Sequence, residues 1–150
     1  MREIDYREAI KNGEKVLGAY YDFHHESWNA NMKCEYPIDG VKVGDITLHG
    51  RLDRIDFLSP KTYNLTPVRV IDYKFKKPMT RNEIFGKTKN SDGNYYRQLV
   101  FYKLLIEGDT GSRSANHKFK MVEGILDFLE PDASGKFKRE VFAPSDKEVA

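Results

Sequence analysis

Cysteine is almost absent from this chain of 150 residues, which contains only Cys34. A single cysteine excludes an intramolecular disulfide and a four-cysteine zinc or iron–sulfur site within the chain. We therefore expect no iron–sulfur cluster and a reducing compartment, with the cytoplasm as the default location. Cys34 itself is predicted to be a small core residue.

Long apolar runs are also absent, and no stretch has the pattern of a signal peptide. We therefore expect no association with a membrane. The segment Gly108–Ser112 is not followed by the Gly-Lys-Ser/Thr of a phosphate-binding loop, so we expect no ATP-driven motor within this chain.

Excess charge is small overall, at +2, but it is unevenly distributed along the sequence. Residues 69–103 carry nine basic and three acidic side chains, which gives +6 there and −4 in the rest of the chain. A localised basic stretch suits a surface that follows the phosphates of a nucleic acid, and Lys76 and Lys77 are candidate contacts. An ordinary solvated lysine-rich loop would show the same composition.

Hydrophobic periodicity and turn residues predict a helix, three strands, a second helix and two further strands. The predicted helices are Asp5–Trp28 and Asn94–Glu107. The predicted strands are Met32–Ile38 with a hairpin at Asp39-Gly40 that leads into Val41–Val43, then Ile46–Leu58, Val68–Phe75, Lys118–Glu130 and Lys136–Phe142. The intervening loops are predicted at Ser59–Pro67, Lys76–Asn94 and Asp109–His117. This order predicts one α/β domain over residues 1–150, with a mixed central sheet flanked by helices.

Two strand-like runs carry a carboxylate where an apolar residue is expected. Asp72 lies between Ile71 and Tyr73 in the most apolar strand, and Lys74 shares its face because residues two apart in a strand point to the same side. A buried carboxylate must be paired or must bind a metal. The pair is therefore either a structural ion pair or part of a catalytic site.

Asp53 lies in the preceding strand and is the candidate partner of Asp72. Asp56 shares a side with Arg54 in an alternating strand, so the two aspartates cannot both point into one site without a bulge. With Asp53 and Asp72 holding Mg²⁺ together with the main-chain carbonyl of Tyr73, Lys74 would orient the attacking water. A surface Asp53 paired with a neighbouring arginine is the alternative.

Supporting residues are expected on the second helix, which is apolar nearly all round and therefore predicted to be buried. Gln98 and Tyr102 are four residues apart and adjacent on one face. A buried glutamine beside a tyrosine can hold a carboxylate or reach a phosphate, although a core polar pair bonded to backbone is the alternative. Glu35 is a weaker candidate for an acidic ligand. His24 and His25 are expected to be helix-cap or surface residues rather than metal ligands.

Three of these stretches together resemble the motifs of one nuclease family. Gly50–Asp56 is similar to the pattern G-x-x-D-R-I-D, Ile71–Lys74 to I-D-Y-K, and Gln98–Tyr102 to Q-x-x-x-Y, in that order. This resembles the RecB branch of the PD-(D/E)XK nucleases, of the kind fused to UvrD-type or AddAB/RecBCD-type helicases. Gly13–Tyr21 resembles the helix that precedes the strands in the UvrD-fused domains, and the resemblance covers roughly residues 13–130.

The resemblance implies a restriction-endonuclease-like core, a DNA substrate and Mg²⁺ or Mn²⁺ as cofactor. It gives Asp53, Asp72 and Lys74 the catalytic positions, Gln98 and Tyr102 supporting ones, and Glu35 an acidic position in the strand before the first aspartate. It also implies exonuclease action in recombinational repair and a helicase motor in the same or a partner polypeptide. An expected upstream histidine and a closing helix after Asp146–Ala150 are missing, which indicates a fragment of a longer helicase-nuclease. A catalytically silent DNA-binding module, or RNA or a nucleotide as substrate, stays open as an alternative.

Overall fold

The structure is a computed structural model that describes residues 3–59, 65–108 and 118–149. Its helices are α1 (Glu3–His24), α2 (Arg81–Ile84) and α3 (Asn94–Gly108), and its strands are β1 (Met32–Val43), β2 (Ile46–Phe57), β3 (Leu65–Lys74), β4 (Lys118–Phe128) and β5 (Arg139–Phe142). Short 3₁₀ turns occupy His25–Ser27 and Asp146–Glu148. The predicted loop Asp109–His117 and most of the predicted loop Ser59–Pro67 lie outside the described residues.

The five strands form one mixed sheet in the order β1-β2-β3-β4-β5. Strands β3 and β4 are parallel, whereas every other neighbouring pair is antiparallel. Parallel neighbours need a crossover connection, and α3 lies in the connection between β3 and β4. The predicted α/β architecture, with a mixed sheet flanked by helices, is confirmed.

The hydrophobic core lies between α3 and the sheet. Leu99 and Leu105 of α3 are fully buried with Leu52 of β2 and Val70 of β3. Gly50 allows this close approach, because a Cβ there would lie 2.3 Å from Leu105 Cδ1. The prediction that α3 is buried on nearly all sides is only partly right, since one side of the helix, including Phe101, is exposed.

The predicted hairpin at Asp39-Gly40 is wrong. Val41, Lys42 and Val43 pair with β2, as the residues before Asp39 do, so the turn lies at Gly44-Asp45, between Val43 and Ile46. Gly40 and Gly44 both have positive φ, at 78° and 57°. The first glycine makes an irregularity in β1 that leaves Ile38 and Val41 both in the core, and the second makes the two-residue turn.

The prediction that Cys34 is a core residue is also wrong, because its side chain is exposed. Tyr36 and Ile38 of the same strand are buried, so strict alternation would bury Cys34 as well. Glu35 has a φ of +49°, which interrupts the alternation between Cys34 and Tyr36. Cys34 therefore points to the opposite face of the sheet from the one that strict alternation with Tyr36 predicts.

Helix α1 covers part of the opposite face of the sheet through Val16, Tyr20 and His24, which are buried. It ends at His24, four residues before the predicted end. In the described part of the chain, we find no helix with the length and apolarity needed to cross a membrane.

Candidate active site

Strand β3 presents Asp72 and Lys74 to the face of the sheet that α3 covers. Lys74 Nζ lies 2.5 Å from Asp72 Oδ2, and both side chains are largely withdrawn from solvent. The two residues are two apart in a strand, so the pleat itself places them on one face. The sequence predicted this proximity from alternation alone.

Helix α3 closes a ring with this pair through three hydrogen bonds, and the Lys74–Asp72 ion pair is the fourth link. Lys74 Nζ donates to Gln98 Oε1 at 2.7 Å, and Gln98 Nε2 donates to the Tyr102 hydroxyl at 2.6 Å. The Tyr102 hydroxyl in turn donates to Asp72 Oδ1 at 2.9 Å. Asp72 Oδ1 therefore accepts a hydrogen bond, whereas the buried Oδ2 contacts Lys74 as an ion pair and accepts no hydrogen bond from the described residues. One turn of helix fixes the lysine and the aspartate relative to each other.

Asp53 reaches the same place from the neighbouring strand. The antiparallel register of β2 and β3 pairs Arg54 with Ile71, and its continuation brings Asp53 opposite Asp72. Residues opposite each other in an antiparallel pair share a face. Asp53 Oδ2 accepts a hydrogen bond from the backbone N–H of Tyr73 at 2.9 Å, which holds the carboxylate beside Asp72 and Lys74.

Opposing electrostatic effects act on the pKa of the Asp72 carboxyl. Burial raises the pKa of the Asp72 carboxyl, the close contact and positive charge of Lys74 lower it, and the nearby charge of Asp53 raises it again. The pKa of the Tyr102 hydroxyl is raised by burial and by the charge of Asp72, so this hydroxyl stays a hydrogen-bond donor. Because two neighbouring carboxylates inside a protein repel each other, a cation bound beside both of them would be stabilised.

The family of this chain is shown by the family model that matches its sequence. The model of the PD-(D/E)XK nuclease superfamily matches residues 4–148. The chain belongs to the PD-(D/E)XK nuclease superfamily.

Two further comparisons add little to this assignment. No curated protein matches the chain. The crystal structure of SSO0001 is similar in structure, with a TM-score of 0.44 and 18% sequence identity, over 94% of this chain and 54% of that one. The chain therefore spans about half the length of that protein.

Divalent metals are the usual cofactors of PD-(D/E)XK nucleases, and the donors present here fit such an ion in kind. Asp53 and Asp72 supply carboxylate oxygens next to each other, and the main chain of Tyr73 lies between Asp72 and Lys74. Oxygen donors of this type are what Mg²⁺ and Mn²⁺ prefer. Within residues 3–59, 65–108 and 118–149, however, no group of three or more His, Cys, Asp or Glu side chains is gathered as a metal site.

Asp56 is kept out of this site, as the sequence predicted. It forms two hydrogen bonds with Arg54, at 2.7 and 3.1 Å, and both side chains are almost fully buried on the other face of the sheet. The Arg54 guanidinium also donates to the Tyr73 hydroxyl at 3.4 Å. This buried pair therefore supports from behind the same residue whose backbone N–H holds Asp53.

The remaining candidates of the PD-(D/E)XK site lie around it rather than in it. Glu35 is exposed, and its carboxylate lies 3.4 Å from Arg51. Lys76 extends over the Tyr95 ring, with Nζ 5.4 Å from the ring centroid. Lys77 is exposed and lies towards α1 and the β4–β5 turn. The roles predicted for these three residues stay predictions.

His24 differs from the expectation of a cap or surface residue, whereas His25 agrees with it. The His24 ring is buried against Tyr20 and Phe137, while His25 is exposed and stacks on Tyr21. Burial, with the nearby charge of Arg139, lowers the pKa of His24. The difference arises because His24 follows Tyr20 by one helical turn, on the side of α1 that faces the sheet.

Tyr95 lies at the candidate site, although it was not among the candidates taken from the sequence. Its ring lies against the Lys74 ammonium, with Nζ 4.6 Å from the centroid. The signal was present, because Tyr95, Gln98 and Tyr102 are spaced i, i+3 and i+7 and so share one helix face. Asp127 was also missed, although it interrupts an apolar run as Asp72 does; it is fully buried and bonded to Tyr20 and Arg139.

Proposed function

We propose that this chain is a metal-dependent deoxyribonuclease that hydrolyses phosphodiester bonds, with Asp53, Asp72 and Lys74 as its catalytic residues. The observation that carries the proposal is the ring that Asp72, Lys74, Gln98 and Tyr102 form through one ion pair and three hydrogen bonds, with Asp53 beside it. A merely structural Asp–Lys pair would not require a second carboxylate held against it.

In this proposal Asp53 and Asp72, with the main-chain carbonyl of Tyr73, hold Mg²⁺ or Mn²⁺. When bound, such an ion supplies Lewis-acid polarisation of the phosphate and charge neutralisation. An ammonium has three N–H bonds, and Lys74 donates one of them to Gln98 while it contacts Asp72 as an ion pair. A remaining N–H can donate to the attacking water or to a phosphate oxygen, where it stabilises the charge that develops as the P–O bond breaks.

Gln98 and Tyr102 are positioning residues in the same proposal. Gln98 accepts from Lys74 and donates to Tyr102, so it keeps the ammonium directed toward Asp72. The Tyr102 hydroxyl favours the charged form of Asp72, which is the form that binds a metal. Preorganisation of this kind limits the movement needed when the substrate arrives.

The first experiment is cleavage of end-labelled linear DNA, single- and double-stranded, with and without Mg²⁺ or Mn²⁺. We expect metal-dependent cutting by the unchanged protein and its loss in Lys74→Ala. Lys89→Ala is the matched control, since it removes one positive charge from an exposed residue of the same basic stretch. Salt-sensitive DNA binding without cutting in either metal would contradict the enzyme and leave a silent DNA-binding module.

We further propose exonuclease action in DNA repair or recombination beside a helicase motor, as in the RecB branch. The support is the order of the three motifs G-x-x-D-R-I-D, I-D-Y-K and Q-x-x-x-Y in the sequence. A motor that unwinds DNA would deliver single strands to the nuclease. We therefore expect shortening from single-stranded ends, with blunt duplex left uncut; equal cutting of circular single strands would argue against an exonuclease.

A further inference from the structure

A cavity of about 260 Å³ opens between the β3–α3 connection and the start of α3. Tyr95 and Met79 supply its apolar walls, and both also pack against the protein core. Lys76 and Asn90 are among its polar lining residues. The cavity therefore combines an aromatic ring, a thioether and hydrogen-bonding groups.

Two carboxylates in the lining determine what kind of group can enter. Glu83 is bonded to the backbone N–H and the hydroxyl of Thr80, and Asp92 is bonded to Asn94. The Thr80 bonds lower the pKa of Glu83, so it is charged. Two negative charges against one lysine disfavour a phosphate inside the cavity. A neutral, flat group with hydrogen-bonding edges carries no such penalty, and a nucleobase has this chemistry.

Tyr95 connects this cavity to the Asp72–Lys74 site. The same ring lines the cavity and lies 4.6 Å from Lys74 Nζ and 5.4 Å from Lys76 Nζ, measured to its centroid. A base stacked in the cavity would therefore have its own phosphate next to two ammonium groups. Aromatic side chains bind single-stranded nucleic acids by stacking in this way, with little dependence on sequence.

We propose that this cavity is a base-binding subsite, in which Tyr95 stacks on the nucleobase adjoining the scissile phosphate and Lys76 contacts the backbone. The inference rests on the proposed nuclease function and adds a subsite for the base to it. A base can enter only when it is unpaired, so the substrate is a single strand or a frayed end.

The test is a binding measurement that does not depend on cleavage. Single-stranded oligonucleotides with 2-aminopurine at one position at a time are titrated with the protein in EDTA, because stacking quenches the fluorescence of this base. We expect strong quenching at one or two adjacent positions. Tyr95→Phe should keep the quenching, and Tyr95→Ala should abolish it and weaken binding about 10-fold. Phe101→Ala, an exposed aromatic residue on the same helix, is the matched control and should change neither.

Quenching that persists in Tyr95→Ala, or that is absent at every position, would overturn the proposal. Loss of quenching in Tyr95→Phe would also overturn it, since the hydroxyl rather than the ring would then be responsible. With metal present, an abasic position at the subsite should reduce kcat/KM about 10-fold in the unchanged protein but not in Tyr95→Ala. If Tyr95 only positioned Lys74, both substrates would slow equally in Tyr95→Ala. Quenching without cleavage would retain the subsite and refute the nuclease.

Discussion

Replacing Asp56 with alanine is expected to destabilise this protein strongly, although Asp56 lies outside the proposed catalytic site. Asp56 and Arg54 form two hydrogen bonds at 2.7 and 3.1 Å, with 4% and 5% of their side chains exposed. The two side chains are each other's charged partner inside the sheet, so Asp56→Ala leaves the buried Arg54 guanidinium with no counter-charge. Water cannot replace the lost carboxylate at so low an exposure, and an unpaired buried charge is expensive.

The expected loss is about 3–5 kcal/mol for Asp56→Ala, which is the usual effect of breaking a buried ion pair on one side. Asp39→Ala is the matched control, because Asp39 lies 3.2 Å from His49 but both side chains are mostly exposed. Its loss should be below about 1 kcal/mol. In the double variant Arg54→Met and Asp56→Leu no buried charge remains, so we expect the stability to be unchanged or to rise by about 1–4 kcal/mol.

Urea unfolding followed by circular dichroism measures these differences, provided that the slope of the transition is the same in each variant. Total stabilities of domains are about 5–15 kcal/mol, so a loss of 3–5 kcal/mol is well within range. Equal losses for Asp56→Ala and Asp39→Ala would refute the reasoning. A double variant as unstable as Asp56→Ala would show instead that the site cannot pack apolar side chains.

Two other predictions concern the loop before α3 and the end of α1. Gly86→Ala should destabilise the fold by more than Gly135→Ala, although both glycines have positive φ. A Cβ at Gly86 would lie 2.7 Å from the backbone nitrogen of Gly93, whereas a Cβ at Gly135 would have no other heavy atom within 4 Å. Urea unfolding of the two variants measures the difference. Since burial lowers the pKa of His24, the unfolded chain binds more protons than the folded one, so stability should fall as the pH drops below about 6.5. His24→Phe should flatten this dependence in unfolding experiments from pH 5 to 8, and His25→Phe, at an exposed ring, should leave it unchanged.

Much of the candidate site follows from short-range geometry and could therefore be predicted from the sequence. The two-residue period of a strand places Asp72 beside Lys74, and the four-residue spacing of a helix places Gln98 beside Tyr102. Both rules hold wherever the backbone is regular, and β3 and α3 are regular at these residues. Asp53 was a candidate because it lies in the preceding strand, but only the pairing of β2 with β3 brings it opposite Asp72, and that register is not a short-range property.

The errors arose where backbone irregularity or long-range packing decides the outcome. Asp39-Gly40 and Gly44-Asp45 are both residue pairs typical of a hairpin turn, and only the pairing of Val41 with β2 distinguishes them. The positive φ of Glu35 changes the face to which Cys34 points. The sequence does not indicate this conformation, because glutamate rarely adopts it. His24 is buried through contacts with Phe137, which lies more than 100 residues away.

Strand β3 carries polar side chains on both faces, and this explains how the site is held in place. Asp72 and Lys74 are fixed from the front by α3, while Tyr73, between them, is fixed from behind by Arg54. Because Tyr73 also holds Asp53 through its backbone N–H, any movement of β3 would disturb both carboxylates at once. Buried polar groups on the far face would contribute less to stability than apolar ones of the same size. Their presence is therefore better explained by the need to fix β3 at the residues that carry the proposed catalytic groups, since a site held on strands and helices is positioned more accurately than one held on loops.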